Sequence, residues 1–230
     1  MTIVNPAYGF VFVHIPKTGG TSIKDHLYSY GRDTSICIQR TRDAEQLRAT
    51  TGTTLNKHST AAQIRDVVGH QQFDAFFKFS ITRNPYSRTV SIFHFLKYNF
   101  RAWPNSAIMD RFETLEHFVT SKFFRRPGPG RIFEPQFRWL IGDDGQTCMD
   151  FIGRSETLET DIAHIREKLN LPLPAPPLRR RNVSKTFLAP PEADKITPLV
   201  ACAILERYAD DFRLFGYAPD SDTALMMRRI

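Results

Sequence analysis

Phe10-Val11-Phe12-Val13-His14-Ile15-Pro16-Lys17-Thr18-Gly19-Gly20-Thr21-Ser22 reads as a buried strand that runs straight into a glycine turn and then a helix. The leading residues are apolar and strand-favouring, Pro16 ends the ladder, and Gly19 and Gly20 let backbone approach a ligand closely. Thr21 or Ser22 can then cap a helix running through roughly residue 30. The first amides and the dipole of that helix attract phosphate or sulfate, and Lys17 adds a full positive charge. The stretch is an anion cradle.

Working outward, the same order of strand, polar turn and helix returns later. Residues 74–82 (DAFFKFSIT) form a second strong strand, ending in Arg83-Asn84-Pro85-Tyr86-Ser87-Arg88. Pro85 suits the first turn of a helix, and Val90, Phe93, His94, Leu96 and Lys97 continue a helical face. Between the two units, 34–39 alternates as a strand and 41–57 is polar, with a loop at 50–54. Ser59 or Thr60 then precedes a helix marked by Ala61, Ala62, Ile64, Val67 and Val68 and closed by Gly69, which sets His58 just before a helix N-terminus. Alternating strands and helices predict an α/β sheet whose ligand lies at the C-terminal ends of the strands.

The remainder is less regular. A helix is expected over 106–124, with Phe112, Leu115, Phe118 and Val119 on one face, followed by an exposed basic Pro-Gly loop at 125–131. Residues 148–153 form a short strand, after which Ser155, Glu156 and Glu159 start a helix to about residue 169. Four prolines mark 171–177 as a connector into the basic stretch 179–185. A last helix spans 193–212, with Ile196, Leu199, Val200, Ile204 and Tyr208 at helical spacing, and 214–217 closes it. Too little chain follows the connector to bury a second core, so 1–217 is expected to be one domain, with 218–230 a tail.

Composition narrows the partners. The chain has 230 residues, 41% hydrophobic and 24% charged, which is globular rather than disordered. Thirty-one Lys and Arg against 24 Asp and Glu leave a net charge of +7, favouring an acidic partner such as a nucleotide or polyanionic sugar, although such a charge also serves solubility alone. Cys37, Cys148 and Cys202 are too far apart for a CxxC pair or a metal cluster, and three thiols suit a reducing compartment. No apolar run approaches a membrane span and the N-terminus is not a signal peptide, so a cytoplasmic protein is expected.

The cradle could in principle serve ATP. The Walker pattern GxxxxGK[ST] puts its Lys after the second glycine, whereas here Lys17 comes first, and no acidic strand end supplies a Mg²⁺ partner. Instead, the sequence resembles the sulfotransferases that use 3′-phosphoadenosine 5′-phosphosulfate (PAPS), particularly their carbohydrate branch and its bacterial relatives. HIPKTGGTS is similar to that family's 5′-phosphosulfate loop. Arg83-Asn84-Pro85-Tyr86-Ser87-Arg88-Thr89-Val90-Ser91 is similar to its 3′-phosphate motif, in which Arg and Ser eight positions apart hold the 3′-phosphate. Stretches 152–159 and 208–217 also resemble family segments, so the likeness spans about residues 10 to 217.

The resemblance implies a P-loop-like three-layer α/β fold with a central, mainly parallel sheet flanked by helices. It implies a PAPS donor held by Lys17, Thr18, Gly19, Gly20, Thr21 and Ser22 at one phosphate and by Arg83 and Ser91 at the other, with no metal. Ser184 and Lys185 match the later loop that covers the nucleotide. The residue chemistry agrees at both ends: Arg83 is a forked, permanent cation suited to phosphate, and Ser91 adds a hydroxyl two helical turns on.

Sulfuryl transfer needs stabilisation of the leaving charge, a base and alignment. Lys17 supplies the first. His58 is the favoured base, since a histidine titrates near neutrality and this position resembles where the family carries a catalytic histidine. The plainer role for His58 is a polar residue beginning a helix, and His14, His94 and Glu134 are the other candidate bases. For the acceptor, a glycan or glycolipid hydroxyl, the candidates are Arg125, Arg131 and Gln136, near Phe133, Phe137 and Trp139, which are more often core. Two other functions stay open: a non-catalytic binder of nucleotide or polyanion, and a kinase-like phosphoryl transferase. No module interleaves basic and aromatic residues as nucleic-acid binding requires.

Overall fold

The computed structural model describes residues 2–27, 30, 36–37, 55–99, 104, 106–172 and 195–219. A five-stranded sheet is built from β1 (Ile3–Asn5), β2 (Phe10–Val13), β3 (Ile36–Cys37), β4 (Phe77–Thr82) and β5 (Phe151–Arg154) in the order β3-β1-β2-β4-β5. β2, β4 and β5 run parallel, with Phe12 opposite Phe79 and Thr82 opposite Arg154. β1 and β3 extend the β2 edge through antiparallel pairs. The α/β class expected from the sequence is what the structure has. Because β2, β4 and β5 are parallel, the segments that leave β2 and β5 emerge at one end of the sheet.

The described residues fall into two compact units. The first lies within Met1–Thr82 and Gln136–Asn182 and contains the sheet. Its helices are α1 (Gly20–Leu27), α2 (Ala61–Val68), α3 (His70–Ala75) and α6 (Leu158–Lys168). Phe10, Phe12, Phe79, Ile81, Ile23, Leu27 and Ile165 form its core, with the Phe12 and Phe79 rings stacked at 5.4 Å. Burying each such side chain contributes about 1.5–3 kcal/mol. Lys78, buried on β4, satisfies its ammonium on Asp150 (2.9 Å) and on the Phe76 carbonyl (2.7 Å). A buried cation is tolerated only when it is paired and hydrogen-bonded in this way.

The second unit lies within Arg83–Pro135 and Val183–Ile230 and is helical. It holds α4 (Pro85–His94), continued by a π turn over Phe95–Asn99, then α5 (Leu115–Val119), α7 (Pro198–Arg207) and α8 (Ala209–Phe215). Its core is aromatic: Phe93, Phe124 and Phe133 surround Phe118, with ring centroids 5.4, 5.0 and 5.5 Å from it.

Several boundaries differ from the sequence reading. Asp74 and Ala75 belong to α3, because Gly69, at φ 90°, ends one helix and starts the next; the strand begins at Phe77. The helix expected over 106–124 is a 3₁₀ segment, Ser106–Arg111, followed by α5, whose start is fixed by the Thr114 side chain accepting from the His117 amide. The expected helix at 193–212 starts at Pro198, capped by Thr197, and breaks at Tyr208. Ser155 does not cap a helix; it opens a 3₁₀ turn, Ser155–Thr157, ahead of α6. The carboxylate of Asp161 accepts from the Arg154 amide (2.7 Å) and the Thr157 hydroxyl (2.8 Å) there. Among the described residues, no helix is long and apolar enough to cross a membrane.

Candidate functional site

In the first unit the cradle forms as a turn with two left-handed residues. β2 stops at Val13, whose carbonyl accepts from the Ser80 hydroxyl (2.7 Å), and the buried Thr18 hydroxyl donates to the Ile15 carbonyl (3.0 Å). Between them Lys17 takes φ 70°, and Gly19 takes φ 90°. A left-handed lysine is strained, because its Cβ crowds the following carbonyl, so this turn holds Lys17 against its own preference. α1 opens at Gly20, and the amides of Ser22 and Ile23 bond to the Gly19 carbonyl (3.0 and 3.4 Å). Thr21 and Ser22 therefore lie inside the first turn rather than capping it.

The two glycines serve different ends. A Cβ on Gly19 would meet only ordinary contacts, Leu158 at 3.7 Å and Ser155 Oγ at 3.9 Å, so Gly19 is needed for its backbone conformation. At Gly20 the restriction is space: a Cβ there would lie 1.9 Å from His14 Nε2 and 2.0 Å from its Cδ2. Ser155 thus neighbours the cradle from the end of β5. That proximity is tertiary, and no local sequence signal carries it.

His58 lies beside the cradle. Its amide donates to Asn56 Oδ1 (2.8 Å), and its carbonyl accepts from the Trp139 indole (3.0 Å). Its ring is 4.6 Å from the His14 ring, tilted by 34°, and its Nδ1 is 3.2 Å from the His14 carbonyl oxygen. A carbonyl can only accept, so this bond puts the proton on Nδ1 and makes Nε2 the basic nitrogen. α2 starts three residues further on under a capping box: the Thr60 hydroxyl accepts from the Gln63 amide (3.3 Å), and Gln63 Oε1 accepts from the Thr60 amide (3.0 Å). Structure and sequence agree that His58 sits just before a helix N-terminus, and His14 and His58 are brought together with the Lys17–Gly20 turn.

In the second unit Asn84 caps α4, accepting from the Tyr86 amide (2.9 Å), with Pro85 in the first turn as expected. Arg83 Nε donates to Ser87 Oγ (3.0 Å), and Ser91 lies buried further along the helix. Arg88, which the sequence reading gave no role, is only 1% exposed; its Nη1 and Nη2 donate to the carbonyls of Glu134 and Ile132, both at 3.1 Å. Burial pushes its pKa down, while Tyr208 and Asp211 oppose that. The Tyr208 hydroxyl (3.0 Å) and Arg207 Nε (2.9 Å) donate to the Phe133 carbonyl. Three side chains therefore grip three successive carbonyls, 132–134, and hold the segment just after the Pro-Gly loop.

The acceptor candidates meet different fates. Arg125 is exposed and borders a groove with Val119, Phe124, Ala203, Glu206 and Arg207. Arg131 makes a two-point ion pair with Glu134, Nε to Oε1 at 2.9 Å and Nη2 to Oε2 at 2.5 Å, which raises the Arg131 pKa. The same pairing engages both carboxylate oxygens of Glu134. Gln136 is fully buried and offers an acceptor no surface, and Phe133 and Trp139 are core residues. His94 closes α4, its ring 5.8 Å from that of Tyr98. Ser184 and Lys185 lie outside the described residues. Among the described residues no three His, Cys, Asp or Glu side chains gather as a metal-ligand set.

A family model described as "Sulfotransferase family" matches residues 1–218. No curated protein and no solved structure matches.

Proposed function

The chain belongs to the sulfotransferase family, and on that premise we propose that it moves the sulfuryl group of PAPS in line to an acceptor hydroxyl, with His58 as the base. Sulfuryl transfer between a sulfate donor and an acceptor is what the family implies; the donor's identity, the base and the acceptor are our reading. The observation that carries it is the His58 imidazole, set beside the strained Lys17 turn with its Nδ1 bonded to the His14 carbonyl.

The residues of the cradle fit an anion. Lys17 brings a cation, Gly19 turns the backbone, and the Gly20 amide heads a helix in which no earlier turn supplies it an acceptor. The Thr18 hydroxyl proton is engaged by Ile15, so Thr18 would contribute its amide rather than its hydroxyl. PAPS supplies an activated sulfate on a phosphate leaving group. Lys17 neutralises the charge that develops as that group departs, and the helix start orients it. His58 takes the acceptor's proton on Nε2 and becomes an imidazolium that the His14 carbonyl continues to stabilise through Nδ1. Arg83, Ser87 and Ser91 are the groups proposed for the 3′-phosphate, with the Asn84-capped helix start adding its dipole.

For the acceptor we propose a glycan or glycolipid hydroxyl, with Arg125 the exposed cation available to its acidic groups. The unpaired thiols of Cys148 and Cys202 support a cytoplasmic setting. Calorimetric titration tests the donor: 3′-phosphoadenosine 5′-phosphate should bind at least about tenfold tighter than AMP, about 1.4 kcal/mol, without Mg²⁺. Arg83→Ala should remove most of that preference. His58→Ala should bind the nucleotide normally and lose about 10²–10⁴-fold in turnover. Mg²⁺-dependent preference for ATP would overturn the reading in favour of a phosphoryl transferase, and nucleotide binding without sulfate transfer to any hydroxyl would favour a binding protein.

A further inference from the structure

We infer that His14 is a positioning residue whose imidazole is a spacer between the base and the donor cradle, and that Gly20 is a glycine to make room for it. This inference rests on the proposed role of His58. His14 touches both sides at once. One side of its ring faces His58 at 4.6 Å, and its own carbonyl holds His58 Nδ1 at 3.2 Å. Its Nε2–Cδ2 edge lies so close to the first residue of α1 that a methyl on Gly20 would fall 1.9 Å from Nε2 and 2.0 Å from Cδ2. Phe12 backs the ring at 6.0 Å.

Among the described residues the buried Nδ1 of this imidazole meets no partner, so no hydrogen bond from that nitrogen sets the packing. Burying that nitrogen unsatisfied is unfavourable. The ring is placed by contact with the His58 ring and, along its Nε2–Cδ2 edge, with the bare Gly20 backbone. Its thickness fixes how far the basic nitrogen stands from the helix start that would hold the phosphosulfate. Alignment of base and donor is a distance requirement, and a displacement of about 1 Å can lower turnover about 10²-fold.

The test combines two single variants and their double with two readouts. In His14→Ala the cradle backbone is unchanged, so affinity for 3′-phosphoadenosine 5′-phosphate should stay within about threefold while kcat falls about 10–100-fold. His14→Phe keeps a ring of similar thickness and should recover part of that loss; a histidine acting through its own proton would show no such rescue. Gly20→Ala collides with the ring in the parent but has space once the ring is gone. His14→Ala/Gly20→Ala should therefore be no worse than His14→Ala alone, a non-additive cycle expected only if the two residues share one contact.

The second readout is the nuclear magnetic resonance signal of the His58 ring. It should lose a ring-current shift in His14→Ala and move in Gly20→Ala, whether or not the protein transfers sulfate. An unmoved His58 signal in His14→Ala, or additive effects of the two substitutions, overturns the spacer. Absence of sulfate transfer with the His58 shifts as expected sinks the proposed reaction and leaves the spacer geometry standing.

Discussion

Lys17 is the residue at which local preference and function pull against each other. A left-handed backbone conformation for a non-glycine residue costs about 1–2 kcal/mol, and Lys17 adopts it at φ 70° in a turn fixed by Thr18 and Gly19. A glycine would relieve the strain but remove the ammonium. Comparing two substitutions separates these effects. Lys17→Ala and Lys17→Gly should suffer similar, large losses of turnover, because both lack the ammonium proposed to face the leaving group. In denaturant melts Lys17→Gly should be more stable than Lys17→Ala by about 1 kcal/mol, since only alanine retains the unfavourable φ. Equal stabilities would mean that the turn relaxes and stores no strain at Lys17.

At the scale of elements, α2 shows how a helix end can serve a side chain just outside it. The reciprocal bonds of Thr60 and Gln63 fix where the helix starts, and the turn before it, with Ser59 Oγ accepting from the Asn56 amide at 2.8 Å, presents His58. Thr60→Ala should cost about 1 kcal/mol of stability, with Thr60→Ser close to the parent, both read by thermal unfolding. A Thr60→Ala protein as stable as the parent would show that the cap is dispensable. A cap at Ser59 or Thr60, the stop at Gly69 and the first-turn Pro85 were legible in the sequence because caps and first-turn prolines act within a few residues of themselves. The same locality explains the misplacements. Asp74 and Ala75 looked like strand because they adjoin an apolar run, and nothing local announced that Gly69 ends one helix and starts another. The break at Tyr208 serves tertiary bonds, with its hydroxyl on the Phe133 carbonyl and its ring beneath Arg88. The cradle was readable as a motif, whereas the His14 ring against Gly20 and the Arg88 grip on the segment just after the Pro-Gly loop join residues whose meeting only the fold decides.

Over the whole molecule, each unit holds a weak acid whose proton the fold retains, half-buried Cys148 in the first and fully buried Tyr208 in the second. In the first, burial pushes up the Cys148 thiol, whose Sγ donates to the Leu140 carbonyl at 3.3 Å; in the second, burial pushes up the Tyr208 phenol, although Arg88 and Arg207 partly offset it. Each acid holds its proton more tightly folded than unfolded. Between its ordinary and its raised pKa the unfolded chain therefore binds fewer protons, and stability must fall as pH rises. The contribution is fully present below the unfolded values, about 8.5 for a thiol and about 10 for a phenol, and is lost as pH climbs through the folded ones. Stability from chemical unfolding, measured between about pH 7 and 11, should thus decline in two stages. Cys148→Ser should flatten the earlier stage. Tyr208→Phe should flatten the later one, while costing about 1 kcal/mol at neutral pH for the lost bond to Phe133. If the two units unfold in separate transitions, each substitution should alter the pH dependence of only one; if they unfold together, both should act on a single curve. An alkaline decline that neither substitution changes would show that these two groups ionise alike in the folded and unfolded chain.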